Sequence, residues 1–506
     1  MVTHVLSFAV HGIEAYLIDV EIDISNGLPS TTVVGLPDAA TKESKERVRS
    51  AIKNSGFDWP QERITISLAP AHLRKEGASF DLAIAIGILA ATEQISLEHL
   101  ARFCILGELA LDGSTRPIQG ALPIGLALVQ SEIKKMILPQ WNAKEASLVS
   151  GINLWPVKSL KETVELLSNP DFYPPFSIEP QNLLQKQPSY NVDYSEVKGQ
   201  YFAKRALEVA VAGGHNILMI GPPGSGKTML AKRIPTIMPD LTLPEALEVT
   251  KIHSVAGTLS SQDGMVATRP FRSLHHTISD VALVGGGTIP KPGEISLAHQ
   301  GVLFLDELPE FHRSALESLR QPLEEGIIRV SRIHKSLVFP ASCMLVCAMN
   351  PCPCGYYTDP RKACHCNPGK IAGYLGKISG PLLDRIDIHI ELPAIRYQEL
   401  VETKNMESSE AIKARVEKAR EIQRNRFKDE NIFCNAQMNT TMIKRYCALD
   451  TQAKSLLKVA LTKLGFSARA YDKVLKVGRT VADLANNEII TVAHIAEAIQ
   501  YRSLDK

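Results

Sequence analysis

The stretch Gly221-Pro222-Pro223-Gly224-Ser225-Gly226-Lys227-Thr228 follows an apolar run at 216–220 and precedes a helical pattern that opens at Lys227. This is a P-loop in its required setting between strand and helix. The glycines let backbone N–H groups turn inward around phosphate oxygens, and the helix N-terminus adds positive potential. In that reading Lys227 reaches the β- and γ-phosphates, and the Thr228 hydroxyl ligates Mg²⁺. Further along the chain, Val302-Leu303-Phe304-Leu305-Asp306-Glu307 supplies the partner motif. A buried strand ending in two carboxylates aims Asp306 at Mg²⁺ and Glu307 at an attacking water. Hydrolysis of a nucleoside triphosphate needs positioning and charge neutralisation more than covalent chemistry, so these residues make the core of an NTPase.

Around this centre, apolar strands at 302–305 and 344–348 alternate with helices, which indicates a parallel α/β sheet with its loops at the carboxyl edge. Asn350 follows the second of these strands and is placed to orient the water. Arg385, in Leu382-Leu383-Asp384-Arg385-Ile386-Asp387, and Arg469, in Phe466-Ser467-Ala468-Arg469-Ala470, are candidate phosphate sensors. The alternative for each arginine is a surface ion pair. From about residue 396 the chain reads as helical.

Toward the N-terminus the pattern differs. Strand-like alternation at 16–24 and 31–34 leads to Gly35-Leu36-Pro37-Asp38. Asp38 can cap a helix that stops at Asn54-Ser55-Gly56. A strand at 63–68 and a buried helix at 80–91 complete an α+β pattern. Between the two regions, residues 169–190 hold Pro170, Pro174, Pro175, Pro180 and Pro188, the composition of a semi-rigid extended linker. The sequence thus divides into 1–168, a linker at 169–190, an NTPase core at 191–395 and a helical region at 396–506.

Composition bounds the rest. The chain has 506 residues, 45% hydrophobic and 22% charged, with a formal net charge of +2. Residues 1–190 carry 16 Lys+Arg against 21 Asp+Glu, and residues 191–506 carry 40 against 33. A basic second part permits a nucleic-acid partner. No apolar run approaches the length of a membrane span, and the first residues lack the pattern of a signal peptide. Nine cysteines suit a reducing compartment, so a cytoplasmic protein with no membrane partner is expected.

Four cysteines cluster as Cys352-Pro353-Cys354 and Cys364-His365-Cys366, with nine residues between the pairs. They can close a tetrahedral Zn²⁺ site that pins the loop after Asn350, with His365 able to replace one ligand. Free thiols are the alternative. Cys104, Cys343, Cys347, Cys434 and Cys447 read as core or surface thiols.

These motifs, in this order, resemble AAA+ ATPases of the magnesium-chelatase-like branch known as the YifB/ComM group. The resemblance covers essentially the whole chain. Its most specific stretches are Arg269-Pro270-Phe271-Arg272-Ser273-Leu274-His275-His276, Gly285-Gly286-Gly287, Pro292-Gly293-Glu294-Ile295-Ser296-Leu297-Ala298-His299, Leu305-Asp306-Glu307-Leu308-Pro309-Glu310-Phe311 and Met349-Asn350-Pro351-Cys352-Pro353-Cys354-Gly355. It implies an α/β and α+β multidomain chain: a Lon-protease-like domain, an AAA+ P-loop αβα core and a C-terminal helical lid. It also implies ATP with Mg²⁺, a homo-hexameric ring, Arg385 as a finger acting on the next subunit's nucleotide, and Arg469 as a second sensor in the lid. Two pore-facing devices follow, an insertion at 252–287 and a hairpin at 327–338. The hairpin carries Arg329, Arg332, His334 and Lys335. With Arg269 and Arg272, its basic residues are candidate contacts to the phosphate backbone of DNA; a solvated surface hairpin is the alternative.

In the first domain, Lys75-Glu76-Gly77-Ala78-Ser79-Phe80-Asp81 looks like the Lon serine motif, with Ser79 at the nucleophile's position. Where Lon carries the dyad lysine this sequence has Ala121, Leu122 and Pro123. No peptidase activity is expected, and Ser79 is expected to cap the helix at Phe80. The function expected is that of an ATP-driven ring motor on branched or single-stranded DNA, a branch-migration helicase serving recombination and DNA uptake. The rival is a chelatase-like ATPase that remodels a protein or a metal-insertion partner.

Overall fold

The computed structural model describes residues 2–184, 190–260, 262–287, 290–331, 336–357, 359–394, 406–430, 432–464, 467–502 and 504. The chain forms two compact units. One comprises residues 1–187, 242–267 and 337–339, the other 188–241, 268–336 and 340–506.

The first unit is built on a seven-stranded mixed sheet. Its strands are β1 (Val2–His11), β2 (Glu14–Ser25), β3 (Ser30–Val34), β4 (Arg63–Ala69), β5 (Phe103–Ile105), β6 (Lys135–Pro139) and β7 (Asn153–Val157). Their order in space is β3-β4-β2-β1-β5-β6-β7. β1 and β2 form a hairpin, with His11 opposite Glu14, while β5, β6 and β7 run parallel. β4 alternates buried and part-buried positions, the pattern of a strand with one face on the core. The helix Asp81–Ala91 buries every residue but its last, so its uninterrupted apolar run needs no polar stripe. Asp38 caps the helix Ala39–Asn54, its carboxylate accepting from Thr41 N–H at 2.7 Å, as the spacing predicts.

Two expectations change here. Ser79 is not the cap of the following helix. That helix begins at Asp81, and Phe80 holds the N-cap position in helical backbone without a side-chain cap bond. The Ser79 carbonyl accepts from Gly107 N–H at 2.9 Å instead. The proline-rich segment, expected as a semi-rigid extended linker, is hydrogen-bonded to its own unit at 173–176. Phe176 N–H donates to the Leu154 carbonyl at 2.8 Å, and the Trp155 indole donates to the Tyr173 carbonyl at 2.8 Å. These bonds dock it on β7. Its residues 185–189 lie outside the described residues.

The same unit takes in the helix Leu243–Ala256, although it follows the P-loop helix in sequence. The Glu145 carboxylate, 5% exposed, accepts from the Ser254 hydroxyl and from Leu122 N–H. Burial pushes the Glu145 carboxyl above its ordinary range, and these donors pull it partly back.

The second unit holds a five-stranded, all-parallel sheet. Its strands are β8 (Ile217–Ile220), β9 (Phe271–Leu274), β10 (Val302–Leu305), β11 (Met344–Met349) and β12 (Ile388–Glu391), in the order β9-β10-β11-β8-β12. β8, β10 and β11 are buried throughout, as strands covered on both faces must be. The helices Ser409–Arg426, Thr440–Tyr446, Thr451–Leu464, Ala468–Leu484 and Val492–Gln500 follow. The boundary expected at residue 396 falls within 395–405, outside the described residues.

Candidate functional site

β8 lies between β11 and the edge strand β12, so the loop that follows it emerges beside the ends of those neighbours. Gly221 N–H donates to the Met349 carbonyl at 3.2 Å, which ties the first loop residue to the end of β11. Gly226 precedes the helix Lys227–Ile237 with φ +91°, a conformation that a side chain at Cβ would strain. The Lys227 ammonium, nearly buried, donates to the Gly221 carbonyl at 2.6 Å and the Pro222 carbonyl at 3.0 Å. It also lies 3.3 Å from Asn350 Oδ1. Burial lowers the Lys227 ammonium to about 8, against the opposing pull of Asp306 and Glu307.

β10 delivers the carboxylates. The Thr228 hydroxyl donates to Asp306 Oδ2 at 2.7 Å, and Glu307 N–H donates to Asp306 Oδ1 at 3.0 Å. Glu307 sits in left-handed backbone, φ +54°, which turns its side chain away from the strand direction. Its carboxylate lies 3.4 Å from His276 Nδ1. His276 packs against His275, ring centroids 4.0 Å apart and planes tilted by 34°, just past the end of β9. Pairing of His276 with Glu307 was not legible in the sequence; the only signal was two adjacent histidines after a short strand.

The fit to a nucleotide rests on the donor set. Ser225 Oγ is buried with no hydrogen-bond partner among the described residues, a donor available to a phosphate oxygen. The Thr228 hydroxyl and the Asp306 carboxylate converge as the hard oxygen ligands that Mg²⁺ requires.

Arg385 and Arg469 lie elsewhere. The Arg385 guanidinium pairs with Glu324 and donates to the Pro381 carbonyl, and Arg469 lies 3.4 Å from Asp384, the residue before Arg385. The two arginines therefore share one neighbourhood. Among the described residues, neither contacts the phosphate loop. The segment after Arg385 is gripped by the C-terminal region: Lys473, in the helix Ala468–Leu484, and Arg502, just past the last helix, both donate to the Ile386 carbonyl, at 3.0 and 2.9 Å. His215, fully buried, joins Asp387 at 3.1 Å to Thr480 at 2.8 Å.

Of the basic residues expected to meet DNA, Arg269 and Arg272 are committed within the chain. Arg269 donates to the carbonyls of Pro239, Gln300 and Asp240, and Arg272 pairs with Glu294 through two bonds of 2.6 and 2.7 Å. Arg329, in the strand Ile327–Ser331, is exposed and lies 3.3 Å from Glu325 at the end of the preceding helix. Arg332, His334 and Lys335 lie outside the described residues. The four clustered cysteines converge, while His365 is exposed and takes no part in the group. The Tyr356 N–H and the Cys352 thiol draw the Cys354 thiol down to about 6.

Three family models match. One described as magnesium chelatase, subunit ChlI, covers residues 193–400. Another, subunit ChlI of Mg-chelatase, covers 20–142, and a third, magnesium chelatase, subunit ChlI C-terminal, covers 406–502. The chain is 45% identical to competence protein ComM of Haemophilus influenzae over 99% of its own length and 97% of the relative's. It is 44% identical to YifB of Escherichia coli over 98% and 96% of the two chains. The chain belongs to the YifB/ComM group of magnesium-chelatase-like AAA+ ATPases. Membership implies ATPase activity with ATP and Mg²⁺. The first unit of this AAA+ protein also resembles Lon: it is 32% identical to Lon protease 2 of Bacillus subtilis over 142 residues, 27% of this chain and 25% of that one. No described helix is long and apolar enough to cross a membrane.

Proposed function

We propose that this chain is an ATP-driven homo-hexameric motor that moves branched DNA. The ATPase half is carried by one observation, the convergence of Lys227, Thr228, Asp306 and Asn350 at the end of β8. Thr228 and Asp306 would hold Mg²⁺, which when bound would neutralise phosphate charge. Lys227 leaves its loop carbonyls for the β- and γ-phosphate oxygens. Ser225 and the loop N–H groups hold the phosphates in register, Asn350 orients the water, and Glu307 accepts its proton. Arg385 acts on the nucleotide of the adjacent subunit, and Arg469 senses it from the lid.

Support for DNA comes from the ComM relative, which is named a competence protein, and from the excess of basic over acidic residues after position 190. The contact surface is the hairpin with Arg329, Arg332 and Lys335. The first unit takes no part in peptide cleavage on this reading, since Ala121, Leu122 and Pro123, all buried, stand where the resemblance to Lon calls for the dyad lysine. The protein works in the cytoplasm.

A second reading, an ATPase that remodels a protein or metal-insertion partner, is favoured by the three chelatase models. ATP hydrolysis with and without branched DNA separates the two. Stimulation by DNA, together with strand exchange that Glu307→Gln abolishes, is the expected result. Hydrolysis that DNA neither binds nor alters would overturn the DNA reading.

A further inference from the structure

Cys352, Cys354, Cys364 and Cys366 bring four sulfurs within 4.8 Å of one another. The closest separations are 3.3 Å for Cys352–Cys354, 3.6 Å for Cys354–Cys364 and 3.7 Å for Cys352–Cys364. A disulfide would require about 2.05 Å, and all nine cysteines are free. Four sulfurs bonded to one zinc ion at about 2.3 Å stand about 3.8 Å apart at the corners of a tetrahedron. The observed spacing is close to that figure and far from a disulfide.

Backbone donors surround the group. Cys366 N–H points at Cys364 Sγ at 3.4 Å, the N–H groups of Tyr356 and His365 at Cys354, and that of Cys354 at Cys366. Such donors offset the negative charge of a thiolate cluster around a divalent ion. The segment has little else to hold it. Between the end of β11 and the helix Pro368–Leu375, the described residues form neither helix nor strand, and Cys352 is the one apolar residue among them counted in the buried core. A chain of that length without a core of its own needs a staple.

This segment also touches the nucleotide loop. Gly355 has φ +85°, and a Cβ there would fall 2.7 Å from Pro223 Cδ and 3.8 Å from Asn350 Cγ. Its N–H donates to the Cys352 carbonyl at 2.9 Å. The cluster, Asn350 and the P-loop thus form one packed unit.

We infer that the four cysteines form a closed tetrathiolate zinc site, and that the bound metal holds Asn350 and Gly355 against the phosphate loop, so that its occupancy controls nucleotide turnover. With four protein ligands there is no open position for water, so the metal orders the loop and takes no part in the chemistry. The control of turnover rests on the ATPase reading above; the metal site does not.

The test uses the full chain, purified without chelator from zinc-supplemented cells. Elemental analysis should find about one zinc per chain, and Co²⁺ exchanged into the protein should give the intense visible absorption of a tetrahedral thiolate site. Stripping the wild-type protein with a chelator should slow ATP hydrolysis about tenfold or more, and re-added Zn²⁺ should restore it. A Cys364→Ser, Cys366→Ser double variant should lose both metal and turnover, with Cys343→Ala unchanged in both. Should the double variant fail to fold, the stripping and reloading of the wild type decide the matter. Folded protein that holds no zinc and takes up no Co²⁺ would overturn the site and leave the ATPase reading intact. Turnover unchanged by complete stripping would overturn the control. Zinc-loaded protein that never hydrolyses ATP would overturn the ATPase reading and the control with it, leaving the site.

Discussion

At Lys227 the ammonium rests on two carbonyl oxygens of its own loop and titrates near 8 because it is nearly buried. The sign of its pH effect follows. Below pH 8 the free protein offers a cation to the phosphates. Above it the group is neutral and binding must first recover a proton. The ATP dissociation constant is therefore expected to rise by up to about tenfold per pH unit above pH 8, measured by isothermal titration with fluorescence as a cross-check. Lys227→Ala should weaken binding at neutral pH and abolish that slope. Glu307→Gln is expected to keep ATP binding while lowering kcat about 100-fold or more, since it removes only the base. Most of this site was legible from residues 221–228 and 302–307, because a P-loop fixes its chemistry at consecutive positions. The pairing of His276 with Glu307 was not, because it exists only once β9 has docked beside β10.

Among the elements, the C-terminal helices hold the segment of Arg385 through a buried polar network. Asn435 Nδ2 donates to Thr480 at 3.1 Å and to Asp483 at 2.8 Å, and His215 reaches across to Asp387. Thr480→Val would leave the His215 ring and the Asn435 amide each short of a partner. The expected cost is about 1–3 kcal/mol, read from urea unfolding. Burial lowers the His215 imidazole below its ordinary value of 6.5, with Asp387 opposing. The folded chain therefore refuses a proton that the unfolded chain accepts, and stability should fall as pH drops below 6.5. His215→Gln should flatten that dependence between about pH 7.5 and pH 5.5. Strands β2, β3, β4, β8, β10 and β11 could be read from their apolar runs and alternation; β1, β5, β6, β7, β9 and β12 were not read. The docking of residues 173–176 could not be read, because prolines signal extended backbone without naming the strand edge that receives it. Ser79 misled for a similar reason: a serine ahead of an apolar run reads as a cap, yet the helix begins a residue later than the pattern suggests.

For the molecule as a whole, the ring reading makes a test in trans. Arg385→Ala is expected to bind ATP with no hydrolysis of its own. An equimolar mixture with Lys227→Ala should recover part of the wild-type rate, because an intact finger from one variant then faces an intact phosphate loop of the other; a mixture no more active than its components would place Arg385 in its own subunit's chemistry. The first unit carries a different lesson, about the order in which the protein can be made. Its segments are 1–187, 242–267 and 337–339, so it is drawn from three separated stretches of chain. Glu145 receives the Ser254 hydroxyl from the second stretch. Synthesis delivers residues in order, at about 5–20 per second. When the first stretch leaves the ribosome, the carboxyl of Glu145 still awaits a donor more than a hundred residues away in sequence. The module at the front of the chain is therefore not the first to be finished: its completion waits until the phosphate loop of its neighbour has already been translated.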